Sequence, residues 1–154
     1  MEVNKPKITI KKLAGQDIDE FVELIELFAE VFAMENFTLP NRVYLREVLS
    51  KPAFIAMVAL DGQRVVGGLT AYVLEQYYSV KPLAYLYDLG VEAARQRRGI
   101  GRQLIAALRK YCQEQGFEEL FVQADLEDEH ASEFYRATLA AGEKEVRQFY
   151  RTFD

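Results

Sequence analysis

One cysteine and one histidine are all that this sequence offers of the two residues that most often build zinc sites. Cys112 and His130 cannot complete a site that takes about four nitrogen or sulfur ligands, and a lone cysteine closes no disulfide within the chain. No metal is expected. Long apolar runs are also missing: nothing approaches the ~18 unbroken apolar residues of a membrane span, so no membrane partner is expected. The start, Met1 to Lys12, is polar and basic and lacks the apolar stretch of a secretory signal, which makes the cytoplasm the expected compartment. Positive charge is not in excess either. A net charge of −5 speaks against nucleic acid, whose binding proteins present basic surfaces, and is compatible with a cationic ligand. Internal repeats, low-complexity tracts and linkers rich in Gly, Pro or Ser are absent. With 154 residues, half of them hydrophobic and 28% charged, the simplest reading is one soluble domain over 1–154.

What is present is a succession of clear periodicities. Lys7 to Leu13 alternates like a strand. Asp17 is a plausible helix cap, and Phe21, Leu24, Ile25, Phe28 and Phe32 follow at helical spacing, opposite an acidic stripe of Asp19, Glu23, Glu26 and Glu30. A short helix is expected from Asn41 to Ser50, with Tyr44, Leu45, Val48 and Leu49 inward and Pro52 ending it. Two apolar runs, Ala53 to Leu60 and Arg64 to Leu74, flank Asp61-Gly62, a strong signal for a hairpin with a type I′ turn. Lys81 to Val91 is a third apolar run. From Ile100 the period becomes helical through Leu104, Ile105, Leu108, Tyr111 and Cys112, with Gly116 placed as a C-terminal cap. Cys112 thus reads as a packing residue and His130 as a surface one. A strand at Leu120 to Ala124, a helix from Asp128 to about Ala140 and a final aromatic strand at Lys144 to Phe153 complete the order β-α-α-β-β-β-α-β-α-β. The expected fold is a mixed α/β sheet with helices on both faces.

The segment richest in chemistry runs from Leu89-Gly90-Val91 to Gln96-Arg97-Arg98-Gly99-Ile100-Gly101. A buried strand ends, a basic turn follows, and a helix opens at two glycines. Helix N-termini present unpaired N–H groups and partial positive charge, which together favour anions. Glycine removes the Cβ that would hold a phosphate away from the backbone. Arg97, Arg98 and Arg102 add attraction for a polyanion such as a pyrophosphate. The Gly-Lys-Ser/Thr ending of a Walker loop is missing, as is the third glycine of a dinucleotide fingerprint.

Gln96-Arg97-Arg98-Gly99-Ile100-Gly101 resembles the Gln/Arg-x-x-Gly-x-Gly/Ala signature of the GNAT acetyltransferase superfamily, in the matching context of a preceding strand and a following amphipathic helix. Phe54-Ile55-Ala56, Val65-Val66-Gly67, Ala71-Tyr72-Val73-Leu74, Tyr87-Asp88-Leu89 and Val122-Gln123-Ala124-Asp125 further resemble the type I aminoglycoside 3-N-acetyltransferases. The resemblance implies a mostly antiparallel sheet splayed at its centre, with acetyl-CoA as cosubstrate between the splayed strands. It implies that the backbone of Leu89 and Val91, around Gly90, holds the pantetheine arm. The amides near Gln96, Arg97, Arg98, Gly99, Ile100 and Gly101 would bind the pyrophosphate. The implied activity is acetylation of an aminoglycoside amine, at the 3-amino group, conferring antibiotic resistance. One departure is visible: the glycine that the family places four or five residues after its helix tyrosine comes late here, at Gly142.

Acyl transfer to an amine requires loss of the amine proton, stabilisation of charge on the carbonyl oxygen and protonation of the leaving thiolate. Tyr135 matches the tyrosine that the superfamily often places near the sulfur, so it is the candidate acid; otherwise it is a core aromatic. Asp88, inside Leu86-Tyr87-Asp88-Leu89, is the candidate base, or the group that holds the amine, because a carboxylate there is costly without a task. Its alternative is to satisfy backbone groups where the strand bulges. Asp125, with Glu127, Asp128 and Glu129 behind it, suits a small polycationic acceptor, or else dresses a helix N-terminus. The remaining alternatives are a GNAT enzyme for a polyamine, amino sugar or protein amine, and a non-catalytic acetyl-CoA-binding module. The aromatic last strand either finishes the core or forms the edge of a homodimer.

Overall fold

A computed structural model describes residues 7–154; the polar opening at residues 1–6 lies outside the described residues. The chain forms two compact units, Met1–Gln123 and Ala124–Asp154.

The first unit is built on a five-stranded sheet in the order β1-β2-β3-β4-β5. Its strands are β1 (Ile8–Lys12), β2 (Phe54–Asp61), β3 (Arg64–Leu74), β4 (Leu83–Val91) and β5 (Glu119–Val122). The first four are antiparallel neighbours, and β5 joins β4 in parallel. Helices α1 (Ile18–Val31) and α2 (Arg42–Ser50) precede β2, and α3 (Ile100–Glu114) crosses from β4 to β5. Side chains alternate across a strand. Ala56 and Val58 therefore share one face and cluster with Phe21, Leu24 and Phe28 of α1 and with Leu45 and Leu49 of α2. Ile55 and Met57 point to the opposite face, where α3 packs and buries Leu104, Ile105, Leu108 and Cys112. Helices thus cover both faces, as the pattern predicts. Cys112 is a packing residue: burial pushes its thiol pKa up to about 11, which leaves it unreactive near neutral pH.

Local chemistry sets the element ends. Asn41 caps α2 by accepting a hydrogen bond from the Tyr44 amide at 2.9 Å. Asp17 stands at the N-cap of α1 but makes no side-chain cap bond; its carboxylate accepts from the Ala14 amide and from Lys11 instead. Gly116, with φ of 75°, supplies the left-handed residue after α3. The β2–β3 hairpin corrects one expectation. Asp61 and Arg64 are paired, so the central residues are Gly62 and Gln63, and only Gly62 has a positive φ. That is the sign pattern of a type II′ turn, which needs glycine at its first central position, rather than of type I′. Glu23, expected on a solvated stripe, accepts a hydrogen bond from the Val65 amide at 3.0 Å and ties α1 to this hairpin.

In the second unit, α4 (Glu129–Thr138) is capped by Asp128, whose carboxylate accepts from the Ala131 amide at 3.0 Å. The helix ends without glycine: the amides of Leu139 and Ala140 both bond to the Tyr135 carbonyl. Arg136 then grips Glu143 with two hydrogen bonds, at 2.7 and 3.1 Å. The expected final strand is not formed. Residues 144–153 enter no ladder and are exposed throughout. A strand needs a partner for its backbone groups, and its own residue preferences cannot supply one. No helix among the described residues is long and apolar enough to cross a membrane.

Candidate active site

The site begins where β4 leaves its neighbour. β5 pairs with only the first half of β4, matching Glu119–Val122 to Leu83–Leu86. Beyond that point residues 87–91 of β4 keep β3 on one side, and the sheet opens on the other. This is the central splay that the family resemblance implies. Leu89, Gly90 and Val91 lie along the open edge. Leu89 and Val91 turn their side chains to the α3 face, and Gly90 turns to α1, where a Cβ would meet the Phe28 ring at 3.1 Å.

A β-bulge decides what faces the opening. Thr70 pairs with Asp88 but Ala71 pairs with Leu86, so Tyr87 is an extra residue on β4. In a regular strand consecutive residues point to opposite faces; the bulge resets the alternation. Tyr87 and Asp88 consequently line the same cavity of about 220 Å³, together with Thr70 and Tyr72 of β3, Phe28 of α1 and Tyr44 of α2. The walls are otherwise aromatic and aliphatic. Tyr72 meets the Tyr87 ring edge-on at 5.5 Å, and Tyr87 meets Tyr85 at 5.9 Å. Burial raises the pKa of Asp88 above the usual carboxylate value, with no hydrogen bond or cation acting in the other direction. The bulge therefore leaves this carboxylate unengaged with backbone amides. Desolvation, followed by the neighbouring charges of Tyr87 and Asp88, raises the pKa of the Tyr72 phenol.

The basic turn follows β4 directly. A short 3₁₀ turn, Ala93–Arg95, leads to Gln96, whose side-chain amide donates to the Val91 carbonyl at 3.1 Å. Arg95 is consumed locally, pairing with Asp61 and Glu92, and Arg64 also reaches Glu92. This network fastens the β2–β3 hairpin to the turn. Arg97, Arg98 and Arg102 make none of these ion pairs. Arg97 and Gly99 have positive φ, 65° and 81°. Such a backbone costs a non-glycine residue about 1–2 kcal/mol, so the turn holds Arg97 in a strained form. Gly99 is the N-cap of α3 and has no side chain to satisfy the first-turn amides of Ile100, Gly101 and Arg102. A Cβ at Gly99 would meet nothing within 4 Å. Free donors, a helix dipole and three arginines fit a pyrophosphate.

The remaining candidates lie in the second unit. Tyr135 is partly buried on α4, its ring 5.3 Å from Phe134. Asp125 and Glu127 are exposed, and Asp128 has the structural task of capping α4. His130 is exposed, and the described residues hold no cluster of metal-ligating side chains.

Sequence reasoning missed the aromatic wall. Tyr72 and Tyr87 belong to segments singled out for the family resemblance, and Tyr44 was expected to point inward, yet it is half exposed and lines the cavity. The one available signal was the density of tyrosines around Asp88. Strict alternation would have put Tyr87 and Asp88 on opposite faces.

A family model described as the acetyltransferase (GNAT) family matches residues 21–139. Among solved structures, the aminoglycoside acetyltransferase meta-AAC0020 from an uncultured soil metagenomic sample, in complex with trehalose, is 49% identical. Its TM-score is 0.93, over 96% of this chain and 97% of that one. The same protein in complex with sisomicin gives 48% identity and the same TM-score and coverage. A second soil metagenomic enzyme, the aminoglycoside acetyltransferase HMB0005, is 32% identical with a TM-score of 0.87, over 96% of this chain and 99% of that one. Comparison with curated protein sequences gave no match. With the open sheet, the glycine turn and these similarities together, the chain belongs to the GNAT family of N-acetyltransferases.

Proposed function

We propose that this chain, acting as one catalytic domain in the cytoplasm, acetylates the 3-amino group of an aminoglycoside with acetyl-CoA and so confers resistance. The observation that carries the proposal is Asp88, a carboxylate with no bonding partner among the described residues, in an aromatic cavity beside the open edge of β4. Similarity to a protein solved with sisomicin supports the acceptor class.

Acetyl-CoA would lie along Leu89, Gly90 and Val91, with its pyrophosphate on the amides from Gln96 to Gly101 and near Arg102; it supplies an activated thioester and a thiolate leaving group. Asp88 attracts the acceptor's ammonium and takes its proton, and a raised pKa makes the carboxylate a better base. Tyr44, Tyr72 and Tyr87 offer π faces to the cation and to the C–H faces of sugar rings. Tyr135 donates a proton to the leaving sulfur. Asp125 and Glu127 attract the other ammonium groups of a polycation, and Asp128 adds to that charge while capping α4.

Two variants separate these roles. Arg97→Gly with Arg98→Ala relaxes the strained backbone and removes two cations. The acetyl-CoA KM is expected to rise roughly tenfold, with kcat nearly unchanged and a weaker dependence on salt. Tyr135→Phe is expected to lower kcat roughly a hundredfold without changing the acetyl-CoA KM; an unchanged kcat would remove Tyr135 from the chemistry. The function itself is tested by following CoA release with sisomicin and with spermidine, and by locating the new amide by NMR. Turnover with sisomicin alone and a product acetylated at the 3-amino group is the expected result. Turnover with spermidine alone, or with neither, rejects the acceptor.

A further inference from the structure

Two polar residues are buried among the described residues, Thr70 and Thr138. Thr138 donates to the Phe134 carbonyl at 2.7 Å, the back-bond open to a threonine on a helix. Thr70, on a strand, has no such outlet. It is 8% exposed, and its hydroxyl makes no hydrogen bond to any described residue. Every other residue of the buried run 65–71 on β3 is apolar or glycine. Valine has the same shape and the same preference for a strand, and brings no hydroxyl. The hydroxyl of Thr70 faces the cavity with its bonding capacity unused by the protein.

The register places it beside Asp88. Gly68 and Gly90 are paired across β3 and β4, and a Cβ on either would meet α1, at Leu24 and Phe28 respectively. Thr70 and Asp88 are the next pair on that face, two residues along each strand. Directly opposed side chains have Cβ atoms about 4.5–5.5 Å apart. Two oxygens that each accept one N–H from the same tetrahedral nitrogen lie about 5 Å apart. One nitrogen therefore fits between the two side chains. No hydrogen bond joins Thr70 to Asp88, so both are available to a third group.

We propose that the Thr70 hydroxyl is the second hydrogen-bond acceptor for the amine that Asp88 receives, and that the pair selects a primary amine. This rests on the reading of Asp88 as the base. In the form that attacks, a primary amine has two N–H bonds and one lone pair. With one N–H on Asp88 and the other on Thr70, only the lone pair is left to face the thioester. Asp88 keeps an acceptor oxygen whether or not it has taken a proton. A secondary amine has a single N–H, so it leaves Thr70 or Asp88 facing carbon. Orientation of this kind lowers the barrier without any further chemical group.

The test measures acceptor kinetics on the full chain, with whichever of sisomicin and spermidine the parent acetylates. Thr70→Val should lower kcat/KM for the acceptor roughly tenfold and leave the acetyl-CoA KM unchanged. Thr70→Ser keeps the hydroxyl and should stay within about threefold of the parent. The same acceptor with one methyl group on the nitrogen that becomes the amide reads the selectivity. The parent should prefer the unmethylated amine, and Thr70→Val should reduce that preference by a similar factor. Thermal unfolding of Thr70→Val should match or exceed the parent, because the hydroxyl removed is unbonded. Equal losses in Thr70→Val and Thr70→Ser, an unchanged preference, or a lower unfolding temperature in Thr70→Val makes the hydroxyl structural and overturns the proposal. An unimpaired Thr70→Val beside an impaired Asp88→Asn rejects the second acceptor and leaves the base in place. An unimpaired Asp88→Asn moves the amine elsewhere, and the proposal falls with the reading it rests on.

Discussion

Asp88→Asn is expected to lower kcat by roughly 10²–10⁴ and to leave the protein at least as stable at pH 7 as it was with aspartate. The two effects share one cause. The carboxylate sits in a cavity of aromatic and aliphatic walls, and desolvation alone accounts for its raised pKa. An ionised Asp88 is therefore a cost to the folded state. For a group whose folded pKa is raised, the stability it contributes is fully present below its unfolded value, 3.8 for this group, and is lost as pH rises through the folded value. Asparagine has the same shape and cannot ionise, so it keeps that stability at neutral pH. Thermal unfolding across the pH range should show the variant above the parent at pH 7 and the two converging below about pH 4. In the parent enzyme the acid limb of kcat/KM should fall above the range of an ordinary aspartate, because the base must be ionised to accept a proton. Full activity in Asp88→Asn would remove Asp88 as the base. A loss of stability near neutral pH would instead give its carboxylate a structural partner.

How much of this was legible in the sequence depends on whether the cause was local. The stripe of Phe21, Leu24 and Phe28 and the glycine after α3 depend on spacing within one element, and each lies where the pattern put it. The glycine turn after β4 was legible for the same reason. The bulge at Tyr87 was not, since it is a mismatch between two strands and neither strand's own residues mark it. It made Tyr87 and Asp88 neighbours in one cavity. The last strand failed for a related reason. Residues 144–153 have the preferences of a strand, but a ladder requires a second strand, and among the described residues none pairs with it. Glu23 lay in a stripe that looked solvated, and the hairpin amide it accepts from is 42 residues away.

Gly68→Ala is expected to cost about 3 kcal/mol of folding stability, measured by urea denaturation. A Cβ at this position would come 2.4 Å from Leu24 Cδ1 and 2.6 Å from the Met57 carbonyl oxygen. Neither neighbour can yield cheaply. Met57 is fixed in the β2–β3 ladder, and Leu24 is fully buried under α1. Gly68 pairs with Gly90 on β4, so two glycines side by side let α1 settle directly onto the sheet. Gly62→Ala is the control, because it has a positive φ and open space, and only about 1–2 kcal/mol of backbone strain is expected there. Adding Leu24→Ala to Gly68→Ala should give less than the sum of the two single losses, since the same contact is removed by both. Part of the Gly68 cost should remain, because the carbonyl of Met57 stays in place. A Gly68→Ala loss no greater than that of Gly62→Ala would show that α1 can lift away from the sheet. The effect should also reach the site, since Phe28 lies on α1 and lines the cavity above Asp88. A helix displaced to admit one methyl group moves that wall, so the acceptor KM is expected to rise while the acetyl-CoA KM, which the proposed function assigns to the turn at Gln96 to Gly101, is expected to stay nearly constant.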